Sequence, residues 1–236
     1  FQHVDARTQL AIKQRVLEDA LERIGSVRPE QILSPICGPQ FNYRSRARLS
    51  SRYVIKKEKA LVGFREKGKS YVVDMASCEV LPDHISRLLP ELKLLVQSFS
   101  IRERVPQIEV ACGNDVNVLA FRMLEDPSLE DLRLLEQFAA KHDLVIFMQR
   151  GGPATLTQIY PDEPVALTYS ITDMNLTYEF GLSEFTQVNT DVNSVLVRRA
   201  MSMLDLKPTD RVADLFCGLG NFSLAIARSG AQVIGL

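Results

Sequence analysis

The sequence predicts an α+β domain over residues 1–180, followed by the opening βαβ unit of a doubly wound α/β domain over residues 181–236. Two observations lead there. Through the first part, strand-like segments gather between Asn42 and Met75 and again beyond Gln107, with helical stretches between them. The character changes near Gly181, and from Arg211 onward the chain reads strand, glycine turn, helix, strand. No internal repeat or low-complexity stretch disturbs this division.

The first helix is predicted from about Thr8 to Ile24, where Leu10, Val16, Leu17, Ala20, Leu21 and Ile24 recur at helical spacing and Gly25 supplies a stop. A loop containing Pro35, Gly38 and Pro39 follows. Strand-like segments cover Asn42–Tyr53, Ala60–Arg65 and Ser70–Met75, separated by charged turns. A second helical region runs from about His84 to Phe99, and Pro90 is expected to interrupt it. Short strands are expected at Gln107–Ala111, Asn117–Met123, Leu144–Met148, Thr155–Ile159 and Leu176–Phe180. The helix before Leu144 opens on Asp126-Pro127-Ser128, a good cap, and shows Leu132, Leu135 and Phe138 on one face.

A helix from Asp191 to Leu204 carries Val192, Val195, Leu196 and Met203 on one side, and Lys207-Pro208-Thr209-Asp210 makes a turn. Arg211–Phe216 is an apolar strand, Cys217-Gly218-Leu219-Gly220-Asn221 a tight turn, and Phe222–Arg228 a helix that Gly230 ends. Gln232–Leu236 reads as a second, parallel strand. Two strands alone would leave apolar faces uncovered, so more of this sheet is expected after Leu236.

Composition narrows the function. The apolar content is 46%, yet no run approaches the roughly 18 to 20 apolar residues of a membrane helix. The polar opening Phe1-Gln2-His3-Val4-Asp5 lacks a signal-peptide order. Cys37, Cys78, Cys112 and Cys217 show no zinc-ribbon pairing, and four scattered thiols suit a reducing cytoplasm. The net charge of −1 argues against a generic polyanion binder, but its distribution is uneven. From Arg44 to Lys69, five Arg and five Lys face only Glu58 and Glu66, a local net of +8 that leaves −9 for the rest. One basic surface on an acidic protein is the footprint of a nucleic-acid binder, and equally that of a solvated Lys-rich ribbon.

Within that basic stretch, alternation along a strand sends Tyr43, Ala47 and Leu49 to the core and Arg44, Arg46 and Arg48 to the opposite face. Guanidiniums about 6–7 Å apart could each fork onto phosphate oxygens. Such contacts position a strand of RNA without reading its sequence.

Asp214, Gly218 and Gly220 sit where an open α/β sheet binds its ligand, the glycines allowing close backbone approach. The third small residue of a dinucleotide fingerprint is absent, which favours a site for S-adenosylmethionine over nicotinamide, with a purely structural turn as the remaining alternative.

These residues together carry a resemblance. Val212-Ala213-Asp214-Leu215-Phe216-Cys217-Gly218-Leu219-Gly220-Asn221-Phe222, preceded by Phe185-Thr186-Gln187-Val188-Asn189, resembles the uridine-C5 RNA methyltransferases, as do Asn42–Leu49 and Gly63-Phe64-Arg65. The likeness runs from Gln2-His3 to Gly235, and the Gln187-Val188-Asn189 version is most similar to the branch acting on 23S ribosomal RNA. The resemblance implies a basic, RNA-facing α+β domain and the start of a Rossmann-like class I methyltransferase domain. It implies that Gln187, Phe216 and Asn221 contact S-adenosylmethionine, in a pocket shaped by Asp214, Gly218 and Gly220. Phe185 stands where an aromatic could stack on an extruded uracil, or could be ordinary core. Arg44, Arg46 and Arg48 would meet the RNA.

The resemblance also matches Cys78 to the last cysteine of a [4Fe–4S] site whose other ligands precede Phe1, although a lone cysteine is more often a small buried hydrophobe. Methylation at C5 requires a thiolate to add to C6, after which C5 takes the methyl and a base removes its proton. The resemblance places nucleophile and base beyond Leu236, so Cys217 is not expected to attack and no catalytic residue is expected among the 236. The expected protein is cytoplasmic, monomeric and free of membrane, with 23S ribosomal RNA as partner. The alternatives are a transfer-RNA uridine-C5 methyltransferase and a non-catalytic RNA-binding module.

Overall fold

The computed structural model describes residues 3–236, so the likeness at Gln2 and the opening Phe1-Gln2 fall outside the described residues. Two compact units emerge, one ending at Gln40 and one spanning Phe41–Leu236. In the first, Asp5 caps α1 (Ala6–Asp19) by accepting the Thr8 N–H at 3.1 Å, and the helix continues as a π-turn over Ala20–Ile24. The expected helix is present. Its apolar residues are not core, however: none in α1 or the π-turn is buried, and Val16, Leu17 and Ile24 are more than half exposed.

The second unit is organised by a six-stranded sheet in the order β2-β1-β3-β4-β5-β6. Its members are β1 (Arg46–Val54), β2 (Lys59–Gly63), β3 (Gln107–Cys112), β4 (Asn117–Arg122), β5 (Val145–Gln149) and β6 (Leu156–Tyr160). All neighbours run antiparallel except β4 and β5. That parallel pair needs a crossover, which α4 (Leu129–His142) supplies. One sheet face packs on α2 (Asp83–Ser86), α3 (Leu89–Ser98) and α4 through Leu49, Phe99, Ile108, Phe121, Leu135 and Ile146. Alternation puts Ala111, Val118, Ala120 and Val145 on the opposite face. There they meet a hairpin of β7 (Leu167–Ile171) and β8 (Leu176–Phe180), together with α5 (Thr190–Leu204) and α6 (Ser223–Ala227). Beyond the hairpin, β9 (Arg211–Asp214) and β10 (Gln232–Gly235) pair in parallel around α6, the expected βαβ unit.

Two elements differ from expectation, and a third behaves as expected. Ser70–Met75 runs beside β2, with the Val73 N–H donating to the Phe64 carbonyl at 2.9 Å, but forms only the single bridge Arg65–Val72. As expected, the helical region is interrupted at Pro90: it breaks across Arg87-Leu88 into α2 and α3, and Pro90 lies in the first turn of α3, where its missing N–H costs nothing. Strand β7 was unforeseen, although Leu167, Tyr169 and Ile171 are buried in strict alternation with Thr168 and Ser170.

Ser128 and Asp131 form a reciprocal capping box at the start of α4. Asp131 is buried and also accepts from the Ser100 N–H at 2.7 Å and its hydroxyl at 2.5 Å. Burial pushes this carboxyl up, but the hydrogen bonds from Ser100 and Ser128 together hold it below the usual aspartate value. The folded state therefore favours the ionised form. That stabilisation is complete above the ordinary carboxylate range and is lost as pH falls through the lowered value. Asp131→Asn is expected to reduce stability at neutral pH and to flatten the loss of stability between neutral and acidic pH, as read by urea unfolding across that range.

Candidate functional site

The hairpin and α5 cover only part of the second sheet face, and the uncovered part is the floor of a groove of about 830 Å³. The groove gathers Arg44, Arg46, Arg48 and Phe185, the four residues expected to meet RNA. Phe185 is 77% exposed, so it is not core. Its neighbours in sequence are anchored: the Val188 carbonyl accepts from the Ser45 N–H at 2.8 Å and hydroxyl at 3.1 Å, and Thr186 is buried. An exposed aromatic on a segment anchored at its ends is available to stack on a base.

The three arginines do not form a uniform stripe. Arg44 precedes β1, and its Nε is buried without a hydrogen-bond partner. Arg46 donates to the Leu182 and Glu184 carbonyls and lies 5.8 Å from the Phe180 ring centroid. Burial lowers its pKa from the usual guanidinium value, Glu109 opposes that change and Arg48 adds to it. Arg48 donates from Nε and Nη2 to a single oxygen of Glu109, Oε1, at 2.7 and 2.6 Å, yet remains largely solvent-exposed. Tyr43, expected in the core, is half-buried and lines a separate polar pocket of about 300 Å³.

The glycine turn has the backbone its sequence required. Gly218 and Gly220 have φ of +55° and +84°, and a side chain at Gly218 would meet nothing within 4 Å, so this edge is open. Phe216 also adopts a left-handed φ, +66°, and is 97% exposed. Non-glycine residues held there concentrate at ligand sites. Asp214 is half-buried and accepts from the Ser223 hydroxyl at 2.5 Å, fixing strand end to helix start. Gln187 is exposed just before α5.

Asn221 is held by its neighbours. Its amide pairs reciprocally with that of Asn193, at 2.8 and 2.9 Å, and its Oδ1 also accepts from the Tyr169 hydroxyl at 3.2 Å. The Tyr178 hydroxyl donates to the Asn221 carbonyl at 3.1 Å. The two tyrosines stack 4.6 Å apart within 5° of parallel. Helix α5, the hairpin and the turn are thereby locked together. Sequence reasoning missed Asn193, although a polar residue four positions before the buried Val197 stood on the inner helix face.

The open turn, the exposed Phe216 and the oriented Asp214 suit a small ligand at the strand ends. No group of three or more ligating side chains occurs among the described residues, which offer an iron–sulfur cluster only the Cys78 thiol. Cys78 is buried in the main core, its N–H donating to Ser86 Oγ at 2.8 Å. Burial pushes the Cys112 thiol up to about 12, and Cys217 packs so closely on Gly235 that a Cβ there would lie 2.8 Å from its sulfur. No helix among the described residues is long and apolar enough to cross a membrane.

With this geometry in view, the chain was compared with known proteins. Residues 5–235 match the family model described as tRNA (Uracil-5-)-methyltransferase. A 23S rRNA (uracil(1939)-C(5))-methyltransferase RlmD of Nitrosospira multiformis is 52% identical over 235 residues, covering 100% of this chain and 54% of that protein. The protein of the same name from Chromobacterium violaceum is 48% identical over 241 residues, covering 100% and 47%. The chain thus spans about half the length of the curated relatives it matches. In fold it resembles the crystal structure of a Pyrococcus abyssi tRNA (uracil-54, C5)-methyltransferase in complex with S-adenosyl-L-homocysteine. The TM-score is 0.70 at 22% identity, covering 99% of this chain and 57% of that one.

Proposed function

Because the chain belongs to the tRNA (uracil-5-)-methyltransferase family, we propose that it is part of an S-adenosylmethionine-dependent enzyme that methylates C5 of a uridine in 23S ribosomal RNA. The observation that carries this reading is the convergence of Arg44, Arg46, Arg48 and Phe185 on one groove. Lys and Arg beside an exposed aromatic are what a splayed-out RNA strand requires, charge for the backbone and a ring face for the base. The ribosomal substrate is favoured over transfer RNA because the relatives matched over the whole chain are named for 23S rRNA.

In this reading residues 1–180 are the RNA-facing domain and residues 181–236 begin the class I methyltransferase domain. S-adenosylmethionine supplies the methyl group when bound. Gln187 and Phe216 line its seat, Gly218 and Gly220 let the backbone approach it, and Asp214 orients the turn through Ser223. Asn221 contributes by holding the turn's shape through Asn193 and the tyrosines. The attacking thiolate and the base are assigned to none of the described residues. The [4Fe–4S] cluster belongs to this proposal only as one thiolate, from Cys78.

The test uses the full-length gene product, unmodified 23S rRNA and isotopically labelled S-adenosylmethionine, followed by nuclease digestion and mass spectrometry. One uridine is expected to gain one methyl group at C5. Methylation of transfer RNA alone would move the substrate, and methylation of neither would leave an RNA-binding module.

A further inference from the structure

The groove floor contains a feature that the basic motif does not include. Strand register aligns Ser50 with Gln107, Gln107 with Arg122 and Arg122 with Gln149, so a polar row crosses four adjacent strands. Gln107, Arg122 and Gln149 line the groove, on the face that the hairpin leaves bare. On β3 this row lies four residues from the Arg46 row, a separation of about 13 Å at strand rise.

Arg122 is the only cation in the row, and no hydrogen bond or ion pair holds it among the described residues. Its Nε is buried without a partner. A guanidinium N–H taken from water and left unpaired is destabilising, so a side chain held this way implies something that completes it. Arg102 shares the unpartnered Nε, but its guanidinium sits 4.8 Å from the Tyr53 ring centroid, which accounts for its position. Arg122 faces the open groove instead. Between Arg122 and Arg44, the other groove arginine with an orphaned Nε, the Arg48 charge is paired to Glu109. Unpaired positive charge therefore stands towards the two ends of the floor.

We propose that Arg122 binds a backbone phosphate of the RNA strand, one or more nucleotides away from the phosphate met by Arg44, so that the base between them can turn towards Phe185. This rests on the reading of the groove as an RNA site. A planar guanidinium donates two parallel hydrogen bonds to phosphate oxygens, and Gln149 beside it offers both a donor and an acceptor, which suits a nucleotide better than a bare anion.

The experiment measures binding of the full-length protein to transcribed 23S rRNA across a salt series, for the unaltered protein, Arg122→Gln and Arg122→Lys, with thermal melts alongside. Arg122→Gln is expected to bind about ten- to a hundredfold more weakly and to lower the log–log salt slope by about 0.7 to 0.9, the loss of one phosphate contact. Arg122→Lys is expected to keep the slope while weakening binding, because a point charge replaces the fork. If Arg122→Gln does not fold, Arg122→Lys decides: unchanged affinity overturns the proposal. An unchanged slope in a folded Arg122→Gln also overturns it, with the RNA reading intact. An unaltered protein with no salt-dependent binding overturns the RNA reading and this proposal together.

Discussion

Asn193→Ala is expected to destabilise the protein by about 2–4 kcal/mol, because it strips the acceptor from Asn221 Nδ2 and one of two donors from Asn221 Oδ1 in a largely buried site. The cost is more than a lost contact. Asn193 joins α5 to the turn that the tyrosine hydroxyls hold from the hairpin, so the turn loses one of its three supports. Urea unfolding should show a lower midpoint. Asn193→Asp separates the hydrogen-bonding argument from simple volume. Its carboxylate can still accept from Asn221 Nδ2 but faces Asn221 Oδ1 with no proton to donate. The folded state then raises the acid's pKa, and the substituted protein should regain stability as pH falls and lose it as pH rises through that value. A variant equally weak at every pH would show that shape alone matters there.

Arg46→Ala is expected to cost about 2–3 kcal/mol, since two charge-assisted hydrogen bonds to the Leu182 and Glu184 carbonyls and a ring contact with Phe180 disappear. The melting midpoint should fall by roughly 5–10 °C. Arg46 braces the segment that carries Phe185, so limited proteolysis should cut residues 182–188 faster, and methylation by the full-length enzyme should fall with it. The salt slope of RNA binding should change less than it does for Arg122→Gln, because a guanidinium already committed to two carbonyls releases few counterions. A full unit lost from the slope would return Arg46 to the phosphate contacts.

That pair of arginines shows where the sequence was informative. Alternation correctly set Ala47 and Leu49 against Arg46 and Arg48, because the period-2 pattern of a strand is local. What each guanidinium touches is not local. Arg46 meets carbonyls 136 and 138 residues away, and Arg48 meets Glu109. Arg122 and Gln149 were invisible for the same reason: they end two buried strands, and only register brings them beside Gln107. The glycine turn was readable because positive φ imposes residue type directly at Gly218 and Gly220. Asn221 was read by its motif and not by its neighbours, so its lock to Asn193 went unseen. The misplaced strand has a similar cause. Val72 and Val73 have strand composition but lack a full ladder partner.

The groove has two walls of different mechanical character. Its floor stands on β3, β4 and β5, each hydrogen-bonded to a neighbour on both sides, and such strands open only with the whole molecule. The rim that carries Phe185 is irregular chain between β8 and α5, held by one backbone bond from Ser45 and a few side-chain ties. Amide hydrogen exchange should therefore be slow beneath Arg122 with or without RNA. The protection that RNA adds should fall on the rim, so that the floor sets where the strand lies and the rim alone bears the cost of becoming ordered around the base.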